Sequence, residues 1–277
     1  MNKFVALLEK EMIPALGCTD PVAFGLAAAV ARQHAPGKLK RIHMEGSALC
    51  IGGIQGVGVP HSNGQRGAKL CAAMGYTGGD PALDMEVLKA VTPEKLKEAE
   101  EIVASGIVSM EIVKIQDCPA TTWLKTTVET DEHTAVVAIA SSHNNIVYIE
   151  EDGKVLLDKI EETRANETIA DLDMSWLTLD SIYDFCSTCD RSELGIIQQS
   201  IDLTRAICKD GMEHPYGMNV ARTLQANIDK GLIAADEINY ILKWAVAGVD
   251  ARMGGSNCTA MASACSGNQG IELTMAP

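Results

Sequence analysis

With 277 residues, 47% of them hydrophobic, the chain can bury one large core or two modest ones and reads as a soluble globular protein. Its formal charge of -14 leaves no basic stripe to displace counterions from a phosphate backbone, which excludes nucleic acid as a partner. No apolar run approaches the roughly 20 residues that span a bilayer, so no membrane association is expected.

In chain order, the N-terminus, Met1-Asn2-Lys3-Phe4, runs into an amphipathic helical pattern over 4–16 that carries Glu9 and Glu11 and does not resemble a signal peptide. A cytoplasmic location is therefore expected. A break at Gly17-Cys18-Thr19-Asp20-Pro21 precedes a second helix over 22–32, which Thr19 or Asp20 is placed to cap. A strand follows at 39–44, then a glycine-rich loop through Gly52, Gly53, Gly56 and Gly58, a helix at about 64–74 and another at 93–105. Thr92-Pro93-Glu94 is a strong start for the latter, with a threonine cap, proline in the first turn and an acid beside it. Strands are expected at 107–115, 121–129, 134–140 and 146–150, closing on a turn at Asp152-Gly153. Their short links argue antiparallel pairing of consecutive strands. From about 171 the pattern is helical, over 177–185, 193–209, 218–230, 235–249 and 259–265.

The chain is thus α+β, with N-terminal helices, a mixed and largely antiparallel sheet, and an all-helical C-terminal half. Three parts are expected. Residues 1–36 form N-terminal helices that pack with the C-terminal helical part, 38–165 an α+β segment, and 171–277 the helical catalytic part.

Chemistry concentrates in two segments. At Gly17-Cys18-Thr19-Asp20-Pro21 a thiol sits at a helix N-terminus, where the dipole favours thiolate and with it nucleophilic or metal-ligand chemistry; a capped helix with an incidental cysteine is the plain alternative. Ser266-Gly267-Asn268-Gln269-Gly270-Ile271 sets polar groups among glycines, where a backbone can approach a ligand closely. The loop Gly52 to Gly58 lacks a following Gly-Lys-Ser/Thr and is a tight connection or a site wall, not a phosphate loop. His61, after Pro60, and His143, at a strand start, are candidate acids or bases, with an ordinary polar role as the alternative for each.

These segments, together with Gly56-Val57-Gly58-Val59-Pro60, Ser142-His143-Asn144-Asn145-Ile146-Val147 and Asp250-Ala251-Arg252-Met253-Gly254-Gly255, resemble in order the L-cysteine desulfidase family. That family is of the UPF0597 type and related to the iron-sulfur L-serine dehydratases. The resemblance runs along nearly the whole chain. It implies a lyase that uses a 4Fe-4S cluster, held by three cysteines, to remove sulfide and ammonia from L-cysteine and leave pyruvate. L-serine dehydration by the same mechanism, or a non-catalytic small-molecule-binding relative without the cluster, are the alternatives.

Residue by residue, the resemblance implies Cys18 as a cluster ligand and adds family position to His143, which with Asp20 and His61 makes up the catalytic candidates. Thr19, Arg252, Ser266, Gly267, Asn268, Gln269 and Gly270 are its candidate substrate contacts. Arg252 is suited to fork onto a carboxylate, or is held by Asp250 in a structural pair. The other two ligands are expected after the Gly-Asn-Gln-Gly loop, but the chain ends seven residues beyond Gly270, so the catalytic part reads as incomplete. Relatives carry Lys-Asn where this chain has Gly52-Gly53, and glutamate where it has Asp20.

A one-site arrangement also requires the Gly-Asn-Gln-Gly loop to face Cys18 across a shared cleft. The substrate is expected to be a small amino acid. The sequence leaves oligomeric state open, a homodimer included, and no lysine stands in a pyridoxal phosphate motif.

Nine cysteines are an odd number and read as reduced thiols. Cys50, Cys71, Cys118 and Cys208 suit the core, and Cys186-Ser187-Thr188-Cys189 lacks the second pair a structural zinc site needs. Cys258 and Cys265 share a helix face if 259–265 is helical, a spacing that suits close packing or a metal.

Overall fold

In the computed structural model, residues 2–166 and 174–275 are described; the expected onset of the helical half at 171, and the last two residues, lie outside them. Helix α1 (Lys3–Glu11) starts at Asn2, whose side chain accepts from the Phe4 N–H at 3.0 Å. The helix expected to reach residue 16 stops at Glu11, and the chain continues as β1 (Met12–Leu16). Pro14 lacks the N–H an interior helical turn needs, and a strand partner is at hand near the other end of the chain.

Helix α2 (Thr19–His34) is hydrophobic all round and is buried along most of its length, so it forms the centre of the molecule. After β2 (Leu39–Ser47) come a single turn, α3 (Ala48–Ile51), then α4 (Ala68–Gly78) and α5 (Pro93–Ala104), the latter capped by Thr92 as expected. Helices α2 and α4 cross with backbones nearly touching: a Cβ built on Gly75 would lie 2.1 Å from the Gly25 carbonyl oxygen. Only glycine fits this crossing.

The main sheet contains β3 (Val108–Val113), β4 (Trp123–Thr130), β5 (Thr134–Ala140), β6 (Ile146–Glu151) and β7 (Lys154–Asp158), ordered β3-β2-β4-β5-β6-β7. All neighbours are antiparallel except β2 and β3, which pair in parallel. The expected pairing of consecutive strands therefore fails at one point. Strand β2 inserts between β3 and β4, because the α4–α5 crossover returns the chain to the sheet running in the same direction as β2. The main core forms where Val128, Val137 and Ile139 of the sheet meet Phe24 of α2 and Met74 of α4.

The remaining elements are α6 (Ile160–Asn166), α7 (Leu179–Thr188), α8 (Gly195–Glu213), α9 (Val220–Asp229), α10 (Glu237–Met253), β8 (Thr259–Ser263) and α11 (Gly267–Met275). Two expectations are overturned here. Residues 259–263 are a strand and not a helix, since this short run of small residues pairs antiparallel with β1, Leu16 opposite Thr259 and Met12 opposite Ser263. Cys258 and Cys265 consequently share no helix face. The Gly-Asn-Gln-Gly segment, read as a loop, opens α11. The fold is α+β, with the sheet in the N-terminal part and a mainly helical C-terminal half. Among the described residues no helix is long and apolar enough to cross a membrane.

Candidate active site

The two-stranded ribbon of β1 and β8 brings the ends of the chain together, and the candidate residues gather where it ends. Gly17, at φ +83°, turns the chain from β1 into α2. The break is thus between strand and helix, and the residue at the cap position is Cys18, not Thr19 or Asp20. Thr19 instead donates its hydroxyl to the Cys265 carbonyl oxygen at 3.3 Å, joining α2 to the turn after β8.

The thiolate character expected of Cys18 is reversed by its surroundings. Burial lifts its pKa; the Arg252 charge and the backbone N–H groups of Thr19 and Asp20 pull it down without overcoming burial, and Asp20 adds to the rise. A helix N-terminus favours an anion, but a desolvated sulfur here needs more positive charge than one guanidinium and two amides supply.

Asp20, in the first turn of α2, reaches the sheet. Its Oδ1 lies 3.0 Å from Nε2 of His143, in the loop between β5 and β6. The imidazole side chain is 11% exposed. Burial is the strongest single influence and disfavours its charge, yet the Asp20 hydrogen bond and the neighbouring Asp20 and Cys265 together outweigh it and hold the pKa at about 9. His143 is therefore an imidazolium at neutral pH. Its buried Nδ1 makes no hydrogen bond to a described residue. Next to it, Asn144 donates to Asp84 Oδ2 at 2.8 Å. Asp84 was not singled out in the sequence: it lies in a short irregular helical segment, at φ +52°, with no local motif to mark it.

Arg252, in the last turn of α10, is 3% exposed. Its Nη1 donates to Asn268 Oδ1 at 2.9 Å, and its ionisable neighbours are Cys18 and Asp20. Burial lowers its pKa, with those two neighbours opposing. Its Nε is buried without a hydrogen-bond partner among the described residues. The structural pair with Asp250 does not form: Asp250 accepts the Met218 and Val220 N–H groups at 3.3 and 2.6 Å and so holds the start of α9. Gly267 is the floor under Arg252, since a Cβ there would lie 2.2 Å from Nε.

Asn268 and Cys18 therefore meet across Arg252. Ser266 is taken up by local structure, its hydroxyl accepting from the Gln269 N–H at 3.2 Å, and Gln269 is exposed. Gly270 packs on the Met261 carbonyl. Between Thr19, Met85, Ser142, His143, Asn144 and Cys265 lies a cavity of about 20 Å³, room for one water.

His61 is not joined to Asp20, His143 or Cys18 by any described hydrogen bond. It sits at φ +57°, its N–H donating to Asn257 Oδ1 at 2.7 Å, while the neighbouring Pro60 ring packs over Gly17. Burial, with help from Lys89, lowers its pKa, so His61 is neutral where His143 is charged. The glycine-rich loop is a wall to this region: the Gly58 N–H donates to the Met253 carbonyl at 2.9 Å.

Cys50, Cys71 and Cys208 are buried as expected, whereas Cys118 is half-buried. No three cysteine, histidine or carboxylate groups converge at Cys18 among the described residues. A three-cysteine cluster is thus not accommodated by these residues alone; they offer it one thiol, beside one buried cation.

Along 98% of its length the chain is 37% identical to a UPF0597 protein of Actinobacillus pleuropneumoniae, covering 61% of that relative. Similar matches are a UPF0597 protein of Dichelobacter nodosus, 33% identical with 62% covered, and one of Chromobacterium violaceum, 34% identical with 62% covered. The chain belongs to the UPF0597 family and spans about three fifths of the length of the curated relatives it matches. No family model and no solved structure matches it.

Proposed function

We propose that this chain carries part of the active site of a cytoplasmic lyase that eliminates sulfide from L-cysteine, giving pyruvate and ammonia, with L-serine as the alternative substrate. The observation that carries the reading is Arg252, a buried cation that makes no ion pair with a described carboxylate and faces Cys18. A desolvated guanidinium is costly unless an anion meets it. The carboxylate of a small amino acid, with Asn268 alongside, satisfies that need and matches the planar fork of arginine.

The two histidines have opposite character, which suits an elimination needing both an acid and a base. His143, oriented by Asp20, holds a proton at neutral pH that it gives to the departing sulfide. His61, neutral, is the candidate base for the Cα proton. Loss of that proton and of the leaving group forms the enamine, whose imine tautomer is hydrolysed to pyruvate and ammonia. Thr19 fixes the segment carrying Cys265 beside His143.

A 4Fe-4S cluster belongs to this proposal only as the group to which Cys18 contributes one ligand, the others coming from outside the described residues, and no step is derived through it. The single thiol also favours a second reading, a relative that binds a small amino acid without turnover.

The test is pyruvate release from L-cysteine and L-serine by anaerobically prepared protein combined with a polypeptide matching the remaining part of the UPF0597 relatives. Activity that vanishes in Cys18→Ala and falls about 100-fold in Arg252→Met is expected. Turnover unchanged in both variants overturns the proposal, and L-cysteine binding without turnover selects the second reading.

A further inference from the structure

At the end of α2 remote from Cys18, some 24 Å away at about 1.5 Å per helical residue, a second group of side chains converges. His133 comes from the turn between β4 and β5, Glu151 from the end of β6, and Asp152 from the turn between β6 and β7. One ligand-capable atom from each lies within 4.8 Å of the others.

The arrangement is held from outside. Asp152 accepts the Thr134 N–H on Oδ1 at 2.8 Å and meets His133 Nδ1 with Oδ2 at 2.7 Å. The Thr130 hydroxyl oxygen accepts the His133 N–H at 2.8 Å, fixing the turn that presents the imidazole. From the last turn of α2, His34 Nδ1 lies 3.2 Å from Glu151 Oε2. Three separate segments thus position one imidazole and two carboxylates. The neighbourhood is negative: Glu132 joins Glu151 and Asp152 in favouring positive charge on His133.

We propose that His133, Glu151 and Asp152 form a binding site for a divalent first-row transition-metal ion of the zinc type. Mixed nitrogen and oxygen donors suit such an ion better than magnesium or calcium, which take oxygen alone. The ion takes the place of the hydrogen bond between His133 and Asp152, in a cluster whose three groups already lie close together. His34 serves as the outer partner that orients Glu151.

Titration of the purified chain with Co2+, followed by visible absorption, tests this against competition from the cysteines, because nitrogen and oxygen ligands give weak d–d bands whereas thiolates add intense near-ultraviolet charge transfer. Expected are d–d bands saturating at one equivalent without charge transfer, displaced by Zn2+, with affinity at least about 10-fold weaker in His133→Gln and in Glu151→Gln. Glu151→Gln preserves size and shape and keeps the test valid should the His133 variant lose its turn. Absence of binding, bands of thiolate origin only, or equal affinity in the wild type and both variants overturns the site.

Discussion

Asp20 and His143 stand 123 positions apart in the chain, yet Oδ1 of one and Nε2 of the other are 3.0 Å apart across the join between α2 and the sheet. Because this contact and the neighbouring Cys265, acting against burial, raise the histidine pKa to about 9 from 6.5, their joint stabilisation is full below about pH 6.5 and is lost as pH rises through 9. The full effect is on the order of 3 kcal/mol. Urea midpoints should fall between pH 6.5 and 9 in the wild type and stay nearly level over that window in His143→Gln. Equal slopes would assign the titration to another group.

Space at two glycines gives opposite expectations. A Cβ at Gly270 would lie 1.8 Å from the Met261 carbonyl oxygen, part of β8 and unable to swing aside, so Gly270→Ala should lose about 1–3 kcal/mol. Gly195, at the start of α8, has nothing within 4 Å of an added Cβ, and Gly195→Ala should be neutral or gain up to about 1 kcal/mol. Thermal denaturation of the pair of variants distinguishes the two; a stable Gly270→Ala would contradict the close approach of α11 to β8.

Thiol reactivity should follow burial. Cys186 and Cys265 are exposed, while Cys71 is sealed between α2 and α4 with burial pushing its pKa far up. Brief alkylation of the native chain, mapped by peptide mass, should label the first two and spare Cys71 until denaturant is added. Early labelling of Cys71 would show that the α2–α4 crossing opens readily.

Phe4 ties α1 to the helical half, its ring stacked on Phe185 at 4.5 Å and set edge-on to Trp176 at 5.1 Å. Phe4→Ala should cost about 1–3 kcal/mol and shift Trp176 emission to the red. An unchanged spectrum, recorded with the other two tryptophans replaced by phenylalanine, would place α1 away from α7.

Local signals account for what was legible in the sequence. Thr92-Pro93 marks the start of α5, and the apolar, β-branched run at 134–140 marks β5 to the residue, because cap chemistry and strand preference are local properties. Strand β1 was hidden in a helical pattern and β8 in a small-residue run, since each becomes a strand only by pairing with the other. Exposed β7, beyond the turn at Asp152-Gly153, was not expected, its Val155 and Leu156 facing solvent at the sheet edge. At the site, the motifs around Cys18, His143, Arg252 and Asn268 were visible, and the structure places these residues together. Not visible were the partner of Asp250, which is the start of α9, and the direction of the Cys18 pKa. Both are set by elements distant in sequence.

Thr19 and Cys265 touch although 246 residues separate them. A ribosome working at roughly 5–20 residues per second needs roughly 12–50 s to cover that distance. For that interval β1 has no strand to pair with, Arg252 has not been made, and the Cys18 thiol is open to the surrounding medium. Whatever oxidant or metal is present meets this cysteine before the residues that bury it in the folded chain exist.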